Sequence, residues 1–205
     1  MMLKLQGKLP RKIYLACSGG VDSMAALDFL NNNHYVEVLH FNHGTAHGIQ
    51  AAGFVERYCS RNGINAHFGN AHGTVPPGAS KEEWWREQRY SFLDKFTDAP
   101  VITCHHLDDC VETWVWSSMH GTGKIIPYRR NYVVRPFRLT RKRDLEMWCN
   151  LHNVEWIEDD SNENIHYTRN YIRHVMMPHV LRVNPGIHKT IAKKVKEDDV
   201  DNINI

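Results

Sequence analysis

Two stretches of this chain combine residue types and spacings that can do chemistry. The first is Ser18-Gly19-Gly20-Val21-Asp22-Ser23. Glycines just before a helix let backbone amides approach an anion with no Cβ in the way. The free N–H groups of the first helical turn, with about half a positive charge from the macrodipole, favour a phosphate there. The run matches neither GxxxxGK[ST] nor GxGxxG, so it is a phosphate loop of another kind. The plainer alternative is a glycine turn in which Asp22 and Ser23 only cap a helix. The second stretch, Cys104 to Thr113, holds His105, His106, Asp108, Asp109, Cys110 and Glu112. Asp109 and Glu112 are three apart and share a helical face, a pairing that holds an ammonium group or a magnesium ion. HExxH spacing is absent, which argues against zinc.

Four other groups of residues accompany them. His40-Phe41-Asn42-His43-Gly44 ends an apolar run, where a structural polar group is the ordinary finding. Glu82, Arg86 and Arg89 fall on one helical face, either as a surface ion-pair ladder or as phosphate contacts. Thr168-Arg169-Asn170-Tyr171-Ile172-Arg173 sets Arg169 and Arg173 one turn apart, where they can converge on phosphate or RNA. From Lys124 to Arg143 there are eight basic residues, including Arg129, Arg130, Arg135 and Arg138, and no acidic one. Such a block reads as a footprint for a nucleic-acid backbone, or as a solvated face of scattered arginines.

The elements that position these groups alternate between strand and helix, which favours a doubly wound, mostly parallel α/β sheet of about five strands flanked by helices. Strands are expected at Ile13–Cys17, Tyr35–Phe41, Ile64–Phe68, Val101–Cys104 and Tyr132–Val134, with an edge strand at Val154–Ile157. Helices are expected at Met24–Leu30, Gln50–Asn62, Ser80–Phe96, Asp108–Met119, Thr140–Leu151 and Tyr167–Leu181. Ser80 is placed as an N-cap with Glu83 three residues on. Residues 1–185 read as one domain and 186–205 as a short charged extension that frays as a helix. In such sheets ligands bind beyond the carboxyl ends of the strands. The glycine loop, His40–His43, His105–Glu112 and the helix start after Ser80 all fall there.

With 205 residues, 42% hydrophobic and 23% charged, the chain is long enough for a real core and has a globular composition. No window suits a membrane span or a secretory signal. Five cysteines without a CxxC pair suggest reduced thiols and a cytoplasmic setting.

SGGVDS after a strand resembles the pyrophosphate loop of the ATP-pyrophosphatase (PP-loop) superfamily. The order of His40–Gly44, Glu82–Tyr90, His105–Thr113 and Thr168–Arg173 resembles its tRNA(Ile)-lysidine synthetase branch over roughly Lys12 to Pro185. The resemblance implies a Rossmann-like PP-loop fold and an ATP-dependent ligase acting with Mg2+. It would join lysine to the wobble cytidine in the anticodon loop of an isoleucine tRNA through an adenylated base, releasing AMP and pyrophosphate. It assigns ATP to Ser18, Gly19, Gly20, Asp22, Ser23, Asn42, His43 and His105, and catalysis to Asp22, Arg86, Asp109, Glu112 and Arg169. Asp109 is also the candidate contact to the magnesium carried by ATP, and Arg129, Arg130, Arg135, Arg138 and Arg173 are the candidate RNA contacts. Trp84, Trp85, Trp114, Trp116 and Tyr128 are candidates for stacking on the base.

The chain departs from the branch in Thr45-Ala46 after Gly44 and in Cys110. It also ends near the core's end, without the domains that grip tRNA in longer relatives. That leaves room for broader RNA selection or for self-association as a homodimer. Three rivals stay open: a sulfur-transferring tRNA enzyme, which wants paired cysteines; a small-molecule ligase of the same superfamily; and a non-catalytic RNA-binding remnant.

Overall fold

The computed structural model describes residues 3–200, with side chains through Asp198. Six strands form one sheet in the order β3-β2-β1-β4-β6-β5. They are β1 Lys12–Ala16, β2 Tyr35–Asn42, β3 Ala66–Asn70, β4 Val101–Ile102, β5 Arg129–Arg130 and β6 Val133–Val134. All neighbours pair in parallel except β5 with β6. The helices are α1 Val21–Asn31, α2 Ala46–Arg61, α3 Lys81–Leu93, α4 Leu107–Met119, α5 Lys142–His152, α6 Thr168–Tyr171, α7 Met177–Val183 and α8 Ile187–Val200.

The central strands are buried on both faces, as parallel strands covered by helices must be. Ile13, Leu15, Val36, Val38, Ile102 and Val134 point to one face, into the core with α1, α2 and α5. Their alternates Tyr14, Leu39, Val101 and Val133 point to the other, where they meet Phe92 and Leu93 of α3. The chain winds outward from β1 through β2 to β3, then returns to place β4 on the other side of β1. That reversal is the topological switch point, and the turns leaving β1 and β4 both open onto it.

Three expectations need correction. No strand forms at Val154–Ile157. The edge beyond β6 is taken by β5, in a hairpin whose turn sets Asn131 at φ +56°. The segment 154–157 instead lies along the glycine loop, with the Ile157 N–H donating to the Gly19 carbonyl at 2.9 Å. The helix expected over Tyr167–Leu181 is interrupted by a π-helical turn at Ile172–Met176 between α6 and α7. The segment expected to fray is instead docked: α8 buries Ile187, Ile191 and Val195 against Leu107, Val111 and Val115 of α4. Residues 201–205 of that extension lie outside the described residues.

Candidate active site at the sheet switch point

The glycine loop is shaped by Ser23. Its Oγ accepts from the Ser18 and Gly19 amides, both at 3.2 Å, and donates to the Gly20 carbonyl at 2.9 Å. Gly19 sits at φ +88°, where a side chain is strained, and a Cβ there would press on Ile157 and Val55 at 3.1 and 3.3 Å. Gly20 precedes α1 with no side chain capping the helix start, which leaves the helix open to an anion. A cleft of about 770 Å³ opens beside the loop. Ser18, Gly20, His40, His43, Trp85 and Arg89 line it, together with Asp159, Ser161, Asn162, Tyr167 and Asn170.

Polar atoms around this cleft lack protein partners. His40 Nε2, His43 Nδ1 and the Asp22 Oδ1 beside the loop are buried without a hydrogen bond. Because a buried unpaired polar atom costs about 1–3 kcal/mol, such a group of orphans fits a polar ligand. These atoms and the uncapped helix start fit a bound nucleotide, with ring acceptors on one side and amides on the other.

Behind the loop lies a chain of charges that links the first two motifs. His106 is buried and caps α4: its Nδ1 accepts from the Asp109 N–H at 3.3 Å, while the Asp109 carboxylate accepts the His106 N–H at 3.0 Å. The ring proton therefore sits on Nε2, 3.6 Å from both Asp22 and Asp109. Burial works against a charge on this ring, but Asp109, Asp22 and Asp108 outweigh it and raise its pKa. Asp109, 5% exposed, also accepts from Arg169 at 2.6 Å and Arg173 at 3.2 Å. Arg173 forks onto Glu112 at 2.8 and 3.0 Å. Burial alone would raise the Asp109 pKa; His106, Arg169 and His105 lower it, so the group is an anion at any working pH.

Three residues of the 169–173 motif divide the work. Arg169 and Arg173 meet the carboxylates. Asn170 between them donates to the carbonyls of Ser161 and Asn164 at 2.9 and 3.0 Å, fastening the 161–164 loop over the cleft.

The structure therefore brings together Ser18, Gly19, Gly20, Asp22, Ser23, His43, Asp109, Glu112, Arg169 and Arg173, with His105 beside them, held by Thr103 at 3.0 Å. Several expected residues are placed otherwise. Arg86 lies outside the cleft, against the Tyr90 ring at 4.8 Å, and Arg89, three residues on, faces in. Glu82 forms no ion pair with either arginine among the described residues. The Asn42 side chain turns back to accept the Gly44 N–H at 2.8 Å, so it shapes the loop instead of lining the cleft. Asp109 Oδ1 already accepts from Arg169 and Arg173 and its Oδ2 from the His106 N–H, so a cation held at this carboxylate would share its oxygens with protein donors.

Of the expected RNA contacts, Arg129 and Arg130 are exposed on the edge hairpin. Arg138 is fully buried, donating to the Ile126 carbonyl at 2.6 Å and to Asp198 at 3.3 Å. Arg135 is 5% exposed and donates to the Pro127 carbonyl at 3.0 Å. Neither presents its guanidinium to a phosphate. Arg173 is committed to Glu112. Tyr128 is buried, with its hydroxyl on the Gln6 carbonyl at 3.0 Å, which removes it as a stacking surface. The linking role of His106 is not among the sequence expectations, although its place three residues before Asp109, at a helix start, is a capping signal.

Two histidines, His43 in the cleft and His105 beside the carboxylates, make stability depend on pH. Burial first, and Arg89 next, lower His43 to about 4; burial, with Arg135 and Arg169, lowers His105 to about 4. Both are neutral when folded and bind protons more readily when unfolded, so their contribution is complete above about pH 6.5 and is lost as pH falls toward 4. The raised pKa of His106 has the opposite sign: its contribution is complete below about pH 6.5 and so stays constant across this window. The melting temperature should fall steadily between pH 6.5 and 4, and His105→Asn should flatten that slope; an unchanged slope would contradict the neutral burial of His105.

Fold and site together define a doubly wound α/β protein of the PP-loop ATPase type. The chain belongs to the PP-loop domain family, whose model matches residues 2–180. It is similar to the tRNA(Ile)-lysidine synthase of Haemophilus ducreyi, 31% identical over 196 residues, 90% of this chain and 45% of the relative. It is also similar to that of Thermotoga maritima, 30% identical over 202 residues, 89% of this chain and 48% of the relative. The chain thus spans about half the length of the curated relatives it matches. Among solved structures, the U34-tRNA thiolase NcsA from Methanococcus maripaludis shares the fold, with a TM-score of 0.70 at 13% identity over 94% of this chain and 73% of the other. An NH3-dependent NAD synthetase from Campylobacter jejuni aligns at a TM-score of 0.51 and 11% identity, over 92% of this chain and 86% of the other.

Proposed function

We propose that this protein attaches lysine to the wobble cytidine of an isoleucine tRNA, using ATP, through an adenylated base and with release of pyrophosphate and AMP. The observation that carries this reading is the continuous link from the phosphate loop through Asp22, His106 and Asp109 to Glu112. It joins a place for a nucleotide to a place for a cation. The sequence likeness to tRNA(Ile)-lysidine synthases over nine-tenths of the chain supports the choice of substrates.

ATP, when bound, supplies the adenylyl group and the pyrophosphate leaving group, and magnesium would travel with its phosphates. The loop amides and the start of α1 would hold those phosphates, and Arg89 would add positive charge from α3. Asp109 and Glu112 would hold the amine of lysine, sharing their oxygens with Arg169 and Arg173. Because Asp109 is kept ionised, it suits holding and orienting an ammonium group; the proton lost by the attacking nitrogen would pass to Glu112 or to solvent. The lysine nitrogen would then bond to C2 of the base as the C2–O bond breaks and AMP departs.

The test is incubation with ATP, labelled lysine and unmodified tRNA, followed by mass analysis of the nucleosides. A lysine-bearing cytidine is the expected product. Glu112→Gln should cut lysine transfer by about a hundredfold or more while nucleotide affinity stays within about twofold; equal loss of both would count against the amine role. A product carrying sulfur, or adenylation of a small acid without RNA, would favour the rival chemistries of the fold.

A further inference from the structure

With Arg135, Arg138 and Tyr128 buried, Arg129 and Arg130 keep their charge at the surface, but the expected block loses its central cations and one of its stacking rings. We propose that Tyr167 and Tyr171, at the rim of the cleft, form a stacking platform for unpaired RNA bases, with the cationic run that follows them holding the phosphates. The proposal rests on the RNA reading above and names the surface that serves it.

Three observations converge. Tyr167 lines the cleft and is 42% exposed; Tyr171, one helical turn on and so on the same face, is 46% exposed. Neither ring stacks on another aromatic ring among the described residues. The backbone beneath them is fixed by Asn170 on the 161–164 loop and by Arg169 on Asp109, so the rings project from a rigid base at little entropic cost.

The second observation is charge. Residues 164–196 carry seven Lys or Arg and no Asp or Glu, a longer acid-free run than 124–143. Arg182, Lys189, Lys193, Lys194 and Lys196 are exposed, with Lys193 meeting Glu197 at 3.8 Å. The third is placement. His188, at the start of α8, bonds Asp108 at 3.0 Å, so this helix begins beside the carboxylates behind the cleft. Exposed aromatic rings followed along the chain by a cationic run suit a single-stranded nucleic acid, because every base has a π-face and every nucleotide a phosphate. An apolar protein partner would not call for the charge.

The experiment is an anisotropy titration, without nucleotide, of a labelled RNA hairpin with an unpaired loop and of a blunt duplex of equal length. Tyr171→Ala should weaken loop binding about fivefold to a hundredfold, with Tyr171→Phe close to wild type and duplex binding unaltered. Lys189→Glu with Lys194→Glu should weaken both RNAs and flatten the salt dependence. Loop affinity unchanged in Tyr171→Ala and in Tyr167→Ala would overturn the platform, as would equal loss on the duplex or a change in oligomeric state in place of a change in RNA affinity. Both tyrosines are exposed, so each variant should melt like the wild type. Since the titration contains no ATP, failure of nucleotide turnover would speak against the proposed chemistry and leave this result standing.

Discussion

Asp22→Ala should reduce ATP-dependent pyrophosphate release by about a hundredfold or more while the protein stays folded. Asp22 stands in the first turn of α1, directly after the glycines, and its Oδ1 is buried without a protein partner. Its other oxygen lies 3.6 Å from His106 Nε2, so its charge is part of the line that runs back to Asp109. Removing it takes one anion from the place where phosphate and magnesium would meet, and it also loosens the His106 ring that orients Asp109. The fold should survive, because the amides of the turn are held by Ser23 and not by Asp22. Radiolabelled pyrophosphate exchange and a melting curve on the same sample separate the two effects. Wild-type exchange in Asp22→Ala would remove the phosphate loop from the chemistry.

The largest loss of stability should come from Asp108→Ala, one position from the proposed catalytic carboxylate and with no part in catalysis. Its oxygens accept from Arg141 at 3.1–3.3 Å, from the Lys142 N–H at 2.8 Å and from His188 at 3.0 Å. One side chain thereby joins α4, the start of α5 and the start of α8. Burial opposes its charge, but these donors prevail and hold its pKa far below the usual carboxylate range. Truncation would leave a guanidinium and an imidazole unpaired. For buried pairs this costs about 3–5 kcal/mol, and partial exposure here puts the expectation near about 3 kcal/mol, or roughly 6–12 °C in melting temperature. Proteolysis should open first between α7 and α8, because His188 loses its anchor. His188→Ala should show a smaller shift of the same kind. A shift below about 1 °C for Asp108→Ala would mean that the apolar contacts of Ile187, Ile191 and Val195 hold α8 unaided.

Much of this was legible in the chain itself. The alternation of apolar runs with amphipathic stretches sets the parallel sheet, because buried parallel strands must be apolar on both faces and their crossovers must be helical. Ser80 as N-cap of α3 was readable and is seen, accepting the Glu83 N–H. The pairing of Asp109 and Glu112 followed from three-residue spacing alone.

Other features depended on partners far along the sequence. Spacing placed Arg169 and Arg173 on one face but could not say that this face meets Asp109 and Glu112, some sixty residues earlier. Phosphate and carboxylate attract a guanidinium equally well. Charge counting over 124–143 treated eight cations alike, whereas the hairpin and α8 bury Arg135 and Arg138 against carbonyls. On α3, a rotation of one helical step decides that Arg89 and not Arg86 enters the cleft. The linear order of residues therefore determined the sheet, the glycine turn and the identity of the reactive groups, since these depend on local periodicity and backbone freedom. Which charges are paired, which are buried and which remain for a ligand was decided only by the tertiary structure, because burial and Coulomb attraction act through space between segments the sequence keeps far apart.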